Sequence, residues 1–547
     1  MLHDLFRKPV PTLRDHALAI LLLGALLVGL ACIALLPPFE GFDETAHYSA
    51  IQQFAETGRW PRYGDKLSRA IDDYLAVAPA AEAAQGGWTY RSFFEARGAI
   101  AIARQAVHAR PDEPRHYTPG TSGNWQAQHP PLYYALLAPA YLVSKDWSLA
   151  NQLLLLRTLS YLLAWGALAI TAWVALRTFR DERLATLLPL GAALWPALFP
   201  AWFPEMARLG NDSLVTLVAA LTLILLYRAA ASPTWRDHAL LGGTLGLGLL
   251  TKATFLPVAA AVFVTLAVLT IRARSADPGS HRVARLCVAG VIMLAIASPW
   301  YAARAFGTGT AIGSDIEIKM RAGGGLISGL AQHLDAHTLL WAPWDFAVSF
   351  LWSGTWSFLI PPRVTMLPLL ALAAGLACGC TRVLRRHPLA PIDWFALSSL
   401  ALFIMALGYY SIVQLSLLGA VTTAWYLHAL APILALLVGY GIAGGTHAPW
   451  LRRSMGALVV YALGFLAVMT MLNALYFAGC GPKLPGRMYF AWSTGIECLA
   501  NAPRLYDNLA ALAFPGPAIA LFVAGWLLLL GGAVVALARY TSLTSTR

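Results

Sequence analysis

From end to end the chain repeats one pattern, runs of about twenty apolar residues broken by short stretches carrying Arg, Pro or Gly. A helix of that length crosses the hydrocarbon core of a bilayer, and in hydrocarbon every backbone N–H and C=O must find its partner inside the segment. The pattern predicts an all-α polytopic membrane protein with about 12 to 13 transmembrane helices. With 58% hydrophobic and 12% charged residues, the chain is too apolar for a soluble enzyme of 547 residues. The formal charge of +12 does not point to nucleic acid, because the basic residues are scattered through short loops with no basic helix or zinc-finger spacing.

Those scattered cations orient the chain. Placing Arg7, Lys8 and Arg14 in the cytoplasm carries the first crossing, about 17–36, to the far side. It ends at Pro37-Pro38 without a small-residue cleavage site, so it reads as a retained anchor. The apolar piece from Pro130 to about Val143 is short for a crossing and reads as juxtamembrane. Each even-numbered crossing then ends in a basic loop: Arg177, Arg180 and Arg183; Arg228 and Arg236; Arg272, Arg274, Arg282 and Arg285. Arg382, Arg385 and Arg386, then Arg452 and Arg453, then Arg539 and Arg547 continue the series. Counting the 130–143 piece as a span would reverse every loop.

One membrane domain, 1–547, is expected, with three long outer segments at about 37–149, 303–364 and 478–515. The first carries a small-residue stretch, Val77 to Gly87, and a Pro-rich polar one, Arg110 to Asn124, and reads as amphipathic helices on the membrane surface. Cys480 and Cys498 fall in the third, where an oxidising compartment lets them pair. Cys32, Cys287, Cys378 and Cys380 lie in apolar runs and read as packing residues.

Chemistry-bearing side chains gather at the outer ends of the helices. Asp43 and Glu44 follow the first crossing, and a helix starting there puts Asp43 and His47 on one face. The plainer reading makes Asp43 an N-cap and Glu44 a favourable first-turn acid. His129 precedes Pro130-Pro131-Leu132, where the prolines force an extended entry into a helix. Glu205, Arg208 and Asp212 lie between the third and fourth crossings, where Asn211 or Asp212 alone would cap a helix. Lys252 and Arg304 stand at outer helix ends, and their plainer role is snorkelling toward headgroups.

These residues and spacings resemble the GT-C superfamily of membrane glycosyltransferases, which includes aminoarabinose transferases, protein O-mannosyltransferases and oligosaccharyltransferases. Asp43-Glu44, His129-Pro130-Pro131-Leu132 and Asp212 (or Glu205) match that superfamily's acidic and Pro-Pro-Leu motifs. Tyr426 and His428 resemble a further feature that often begins Gly-Arg-Tyr, although Ala424-Trp425 stands here in place of Gly-Arg. The resemblance implies a polyprenyl-phosphate or -diphosphate sugar donor and a lipid, glycan or protein acceptor at the outer face, in a bacterial inner membrane. Asp43 is then the expected base, with Glu44 beside it. Arg208, Lys252 and Arg304 are expected to hold phosphate, with Arg59, Arg62, Lys66 and Arg69 as further cations, Lys252 and Arg304 being the first choices. Asp43, Glu44 and Asp212 offer hard oxygen ligands for a magnesium or manganese ion, should the enzyme use one.

Two other classes stay open. A transporter or flippase of a lipid-linked sugar places its ionisable residues near the bilayer midplane, where this sequence has few. A lipid-binding scaffold could keep the fold without the activity.

Overall fold

The computed structural model describes residues 13–81, 87–272, 279–310, 314–419, 421, 423–446, 448–482 and 492–544. Arg7, Lys8, Arg274, Arg547 and part of the small-residue stretch between Val77 and Gly87 lie outside them. The molecule is helical almost throughout. Its long helices are α1 (Leu13–Leu35), α2 (Leu149–Thr178), α3 (Glu182–Leu198), α4 (Asp212–Ala231), α5 (Trp235–Leu249), α6 (Leu256–Arg272), α7 (Gly279–Thr308), α8 (Arg363–Leu384), α9 (Pro391–Leu418), α10 (Ala431–Gly445), α11 (Pro449–Phe477) and α12 (Pro515–Thr544). Ten spans among the described residues are long and apolar enough to cross a membrane. Helices α3 and α5, with 17 and 15 residues, fall just short and occupy the places of two further crossings. The 13-residue helix Leu132–Ser144 is the juxtamembrane piece.

Glycines let the helices meet closely. A Cβ on Gly379 of α8 would lie 2.1 Å from the Gly441 carbonyl of α10, and one on Gly24 of α1 would lie 2.9 Å from the Gly525 carbonyl of α12. Lipid competes for apolar side chains as well as protein does, so close backbone approach supplies packing that greasy contacts alone do not.

The loop cations join helix ends that the alternating topology places on one face. Arg228 at the end of α4 pairs with Asp237 of α5 at 2.8 Å. Arg272 lies 4.8 Å over Trp394 at the start of α9, Arg183 of α3 lies 4.3 Å over Tyr440 of α10, and Arg382 of α8 donates to the Gly444 carbonyl. The acid and histidine clusters lie at the opposite ends of these helices.

The first outer segment departs from expectation in one helix. Its helix Glu44–Thr57 is buried through its first ten residues, so it is an internal element and not one lying on the surface. A short antiparallel pair, β1 (Lys66–Ser68) with β2 (Pro119–Gly123), also forms there, with Lys66 opposite Gly123. The second outer segment folds as helices Asp315–Ala322, Leu326–His333 and Ala336–Leu351. In the third, Cys480 and Cys498 are joined by a disulfide.

Candidate active site

The site begins where α1 stops. Pro37 and Pro38 cannot continue the helix, and the chain turns through Phe39 at φ 61° and Asp43 at φ 58°. L residues rarely adopt this left-handed conformation, although Asp tolerates it better than most. Gly41 is needed between them, because a Cβ there would lie 2.6 Å from the Arg208 Cβ. Asp43 occupies the N-cap position of Glu44–Thr57, yet its side chain makes no capping hydrogen bond. Its Oδ1 instead accepts from the Trp125 indole N–H at 2.8 Å, and the carboxylate faces a cavity of about 620 Å³. Burial pushes the Asp43 carboxyl above the usual carboxylate range, while Arg208, the Trp125 hydrogen bond and Lys252 pull it back.

One residue along, Glu44 turns the other way. It is fully buried and accepts two hydrogen bonds from Arg157, from Nε at 2.7 Å and from Nη2 at 2.5 Å, and a third from the Leu209 N–H at 3.0 Å. Arg157 also donates to the Leu36 and Pro37 carbonyls just past the end of α1. The pair closes the turn after α1, and Glu44 does not line the cavity.

Opposite Asp43 stands a fixed charge cluster. Lys252 Nζ donates to both oxygens of Asp212, at 2.8 and 2.9 Å, and lies 4.5 Å over the Tyr426 ring. Arg208 Nη2 donates to Asp212 Oδ2 at 3.0 Å and to Glu205 Oε2 at 3.3 Å, while Nη1 donates to the Phe42 carbonyl at 3.2 Å. Arg208, Asp212, Lys252 and Tyr426 all line the cavity. His47 and His129 form its third side, with rings parallel and centroids 6.3 Å apart, and His47 Nδ1 is 3.1 Å from the Tyr134 hydroxyl. Burial, then Lys252, pushes the His129 imidazole down to about 3, and burial with Arg208 holds His47 well below its ordinary value, so both rings are neutral.

Four candidates lie elsewhere. Arg304 donates to the Pro61 and Ala127 carbonyls and lies 4.6 Å over Trp300, so it ties the first outer segment to α7 and does not line the cavity. His428 is buried against Phe350, bonding its carbonyl at 2.8 Å. Glu205 sits behind Arg208, where burial pushes its carboxyl up to about 7. Glu44 is the fourth. Of the three carboxylates named for a divalent metal, two are paired with cations, Glu44 with Arg157 and Asp212 with Lys252 and Arg208, and Asp43 accepts from Trp125. Among the described residues no three His, Cys, Asp or Glu side chains cluster as a metal site.

Sequence reasoning missed Trp125 and Arg157. Trp125 belongs to no motif. Arg157 lies inside a span, and an intramembrane arginine is itself a signal that a buried carboxylate is near.

Residues 26–427 match the model of a family described as predicted membrane protein (DUF2142). A search of curated proteins finds no match. Among solved structures, the chain is similar to ArnT from Cupriavidus metallidurans bound to undecaprenyl phosphate, at 15% identity over 94% of this chain and 77% of that one, with a TM-score of 0.47. It is also similar to the Archaeoglobus fulgidus oligosaccharyltransferase in complex with Zn and sulfate, at 12% identity over 85% and 53% of the two chains, with a TM-score of 0.37.

Proposed function

The chain belongs to the DUF2142 family of predicted membrane proteins, and from its site we propose that it is a GT-C-type glycosyltransferase using a polyprenyl-phosphate or -diphosphate sugar. One observation carries this reading: a partly exposed carboxylate, Asp43, and a buried cation pair, Lys252 and Arg208, line a single cavity at the face opposite the basic loops. Group transfer to a hydroxyl needs a base on one side of the reacting carbon and stabilisation of a leaving phosphate on the other. The motif resemblance to GT-C enzymes supports the same assignment.

In this reading Asp43 takes the proton of an acceptor hydroxyl as its oxygen bonds to the anomeric carbon. The bond from that carbon to the phosphate oxygen breaks, and the electron pair leaves with the polyprenyl phosphate, whose charge Lys252 and Arg208 stabilise. Attack opposite the leaving group inverts the anomeric centre. Asp212 holds both cations in place. The enzyme works at the periplasmic face of a bacterial inner membrane, on a glycan, lipid or protein acceptor. A transporter or flippase is disfavoured because the ionisable groups ring one end of the helices, and Arg157, inside a span, is engaged by Glu44.

The test is transfer from radiolabelled polyprenyl-phosphate sugars to membrane-extract acceptors by purified protein in nanodiscs. Asp43→Asn is expected to lower transfer roughly 10²–10⁴-fold at unchanged abundance. Wild-type transfer by that variant would remove Asp43 as base. Failure of the wild-type protein to transfer any such sugar would remove the assignment.

A further inference from the structure

One corner of the cavity is mainly aromatic, with the Arg208 guanidinium 5.7 Å over Trp425 and the Asp43 carboxylate bonded to Trp125 at its edge. Trp356 and Phe358 reach it from the segment between Leu351 and α8, Trp425 from the turn before α10, Trp125 from the first outer segment, and Phe42 from the turn after α1. They brace one another at angles: Trp125 and Trp356 have ring centroids 5.8 Å apart, Phe42 and Phe358 5.2 Å, and Phe42 and Trp425 4.3 Å. Angled packing fixes the rings without stacking them face to face; Phe42 and Trp356 are buried by it, while Phe358, Trp125 and Trp425 keep exposed surface.

Phe358 is the unusual member. Its φ is 48°, a conformation unfavourable for a bulky side chain, and its ring is 39% exposed although it lines a cavity. A core has no use for an exposed ring on a strained backbone. Glu40 holds the segment there: the Ser357 N–H and the Thr355 hydroxyl donate to its Oε1, the Tyr90 hydroxyl to its Oε2, and the Trp356 N–H to its carbonyl. Backbone strain held in place by surrounding structure clusters at ligand contacts.

We propose that this corner is a sugar-ring subsite, in which the C–H face of a hexopyranose stacks on the Phe358 ring with the partly exposed Trp425 ring beside it, Trp356 bracing Trp125. Stacking on rigid rings contributes affinity at little entropic cost, and the charged wall is left to the phosphate. The proposal rests on the transferase reading for its purpose, but binding alone tests it.

Full-length protein in nanodiscs is titrated with methyl hexopyranosides, with glycerol as control, by tryptophan fluorescence and saturation-transfer NMR. Wild-type protein gives a saturable response to a hexopyranoside, with saturation strongest on the protons of one ring face. Phe358→Gly removes the ring and frees the backbone, so its melting temperature holds or rises while sugar affinity falls about ten-fold. Trp425→Leu falls similarly. No saturable response in the wild type, or wild-type affinity in both variants, overturns the subsite. Transfer with unchanged KM in both variants overturns it while leaving the transferase in place. Sugar binding by a wild-type protein that transfers nothing supports the subsite and overturns the transferase.

Discussion

Asp43 and Glu44 are neighbours in sequence and opposites in structure. Asp43 is the N-cap in the left-handed conformation and Glu44 the first helical residue, so the chain turns sharply between them, and one carboxylate meets the cavity while the other meets Arg157. The sequence showed that both acids stand at the outer end of α1, but not which way each faces. The same limit applies to Arg304 and His428, which sit at the expected face and point into protein. Lys252, Asp212 and His129 were legible because a turn or a proline fixes their direction. Trp125→Phe removes the hydrogen bond that holds the Asp43 carboxyl down, so its proton affinity rises further and the acid limb of the transfer pH profile moves to higher pH. An unmoved limb would detach Trp125 from the base. His129 is neutral in the fold and takes a proton at about 6.5 when unfolded. The unfolded chain therefore binds more protons between that pH and about 3, and stability present above pH ~6.5 is lost as pH falls through this window. Thermal melting should drop more between pH 7 and pH 5 for the wild type than for His129→Asn.

At the scale of elements, the Glu44–Thr57 helix is pinned to α2 through the Glu44–Arg157 ion pair and the buried Tyr48–Gln152 hydrogen bond. Arg157→Ala leaves Glu44 buried without its cation, at a cost of about 3–5 kcal/mol. A fall in melting temperature in detergent would show this, and the double variant Glu44→Gln/Arg157→Met should recover part of it, since a buried ion pair is often replaceable by groups of similar volume. A melting temperature unchanged by Arg157→Ala would mean that the pair does not hold the turn. The spanning helices were legible because apolar runs of membrane length have few alternatives, and the short helix Leu132–Ser144 was separable from them by length alone. Strands β1 and β2 were not, since three residues on one side and a Pro- and Gly-bearing five on the other carry no alternation to read.

Across the whole molecule, cations tie the helix ends of one face and the candidate site occupies the other. The Cys480–Cys498 disulfide belongs to the site's face but lies outside the cavity lining. A cross-link closing a loop of this size stabilises by about 3 kcal/mol. Cys498→Ser should therefore lower the melting temperature, in the same way that reductant lowers it in the wild type, and leave transfer intact at low temperature. A transfer rate lost in proportion at low temperature would place the disulfide in the site itself. The clamp at Glu40 bears on how the protein is made. Its carboxylate bonds to Thr355, 315 residues later in the chain, so the Trp356–Phe358 part of the aromatic wall cannot form until seven crossings have been synthesised and the second outer segment has followed them, and Trp425 comes after two crossings more. Until then Glu40 waits beside a half-built cavity, whose walls are completed only late in synthesis.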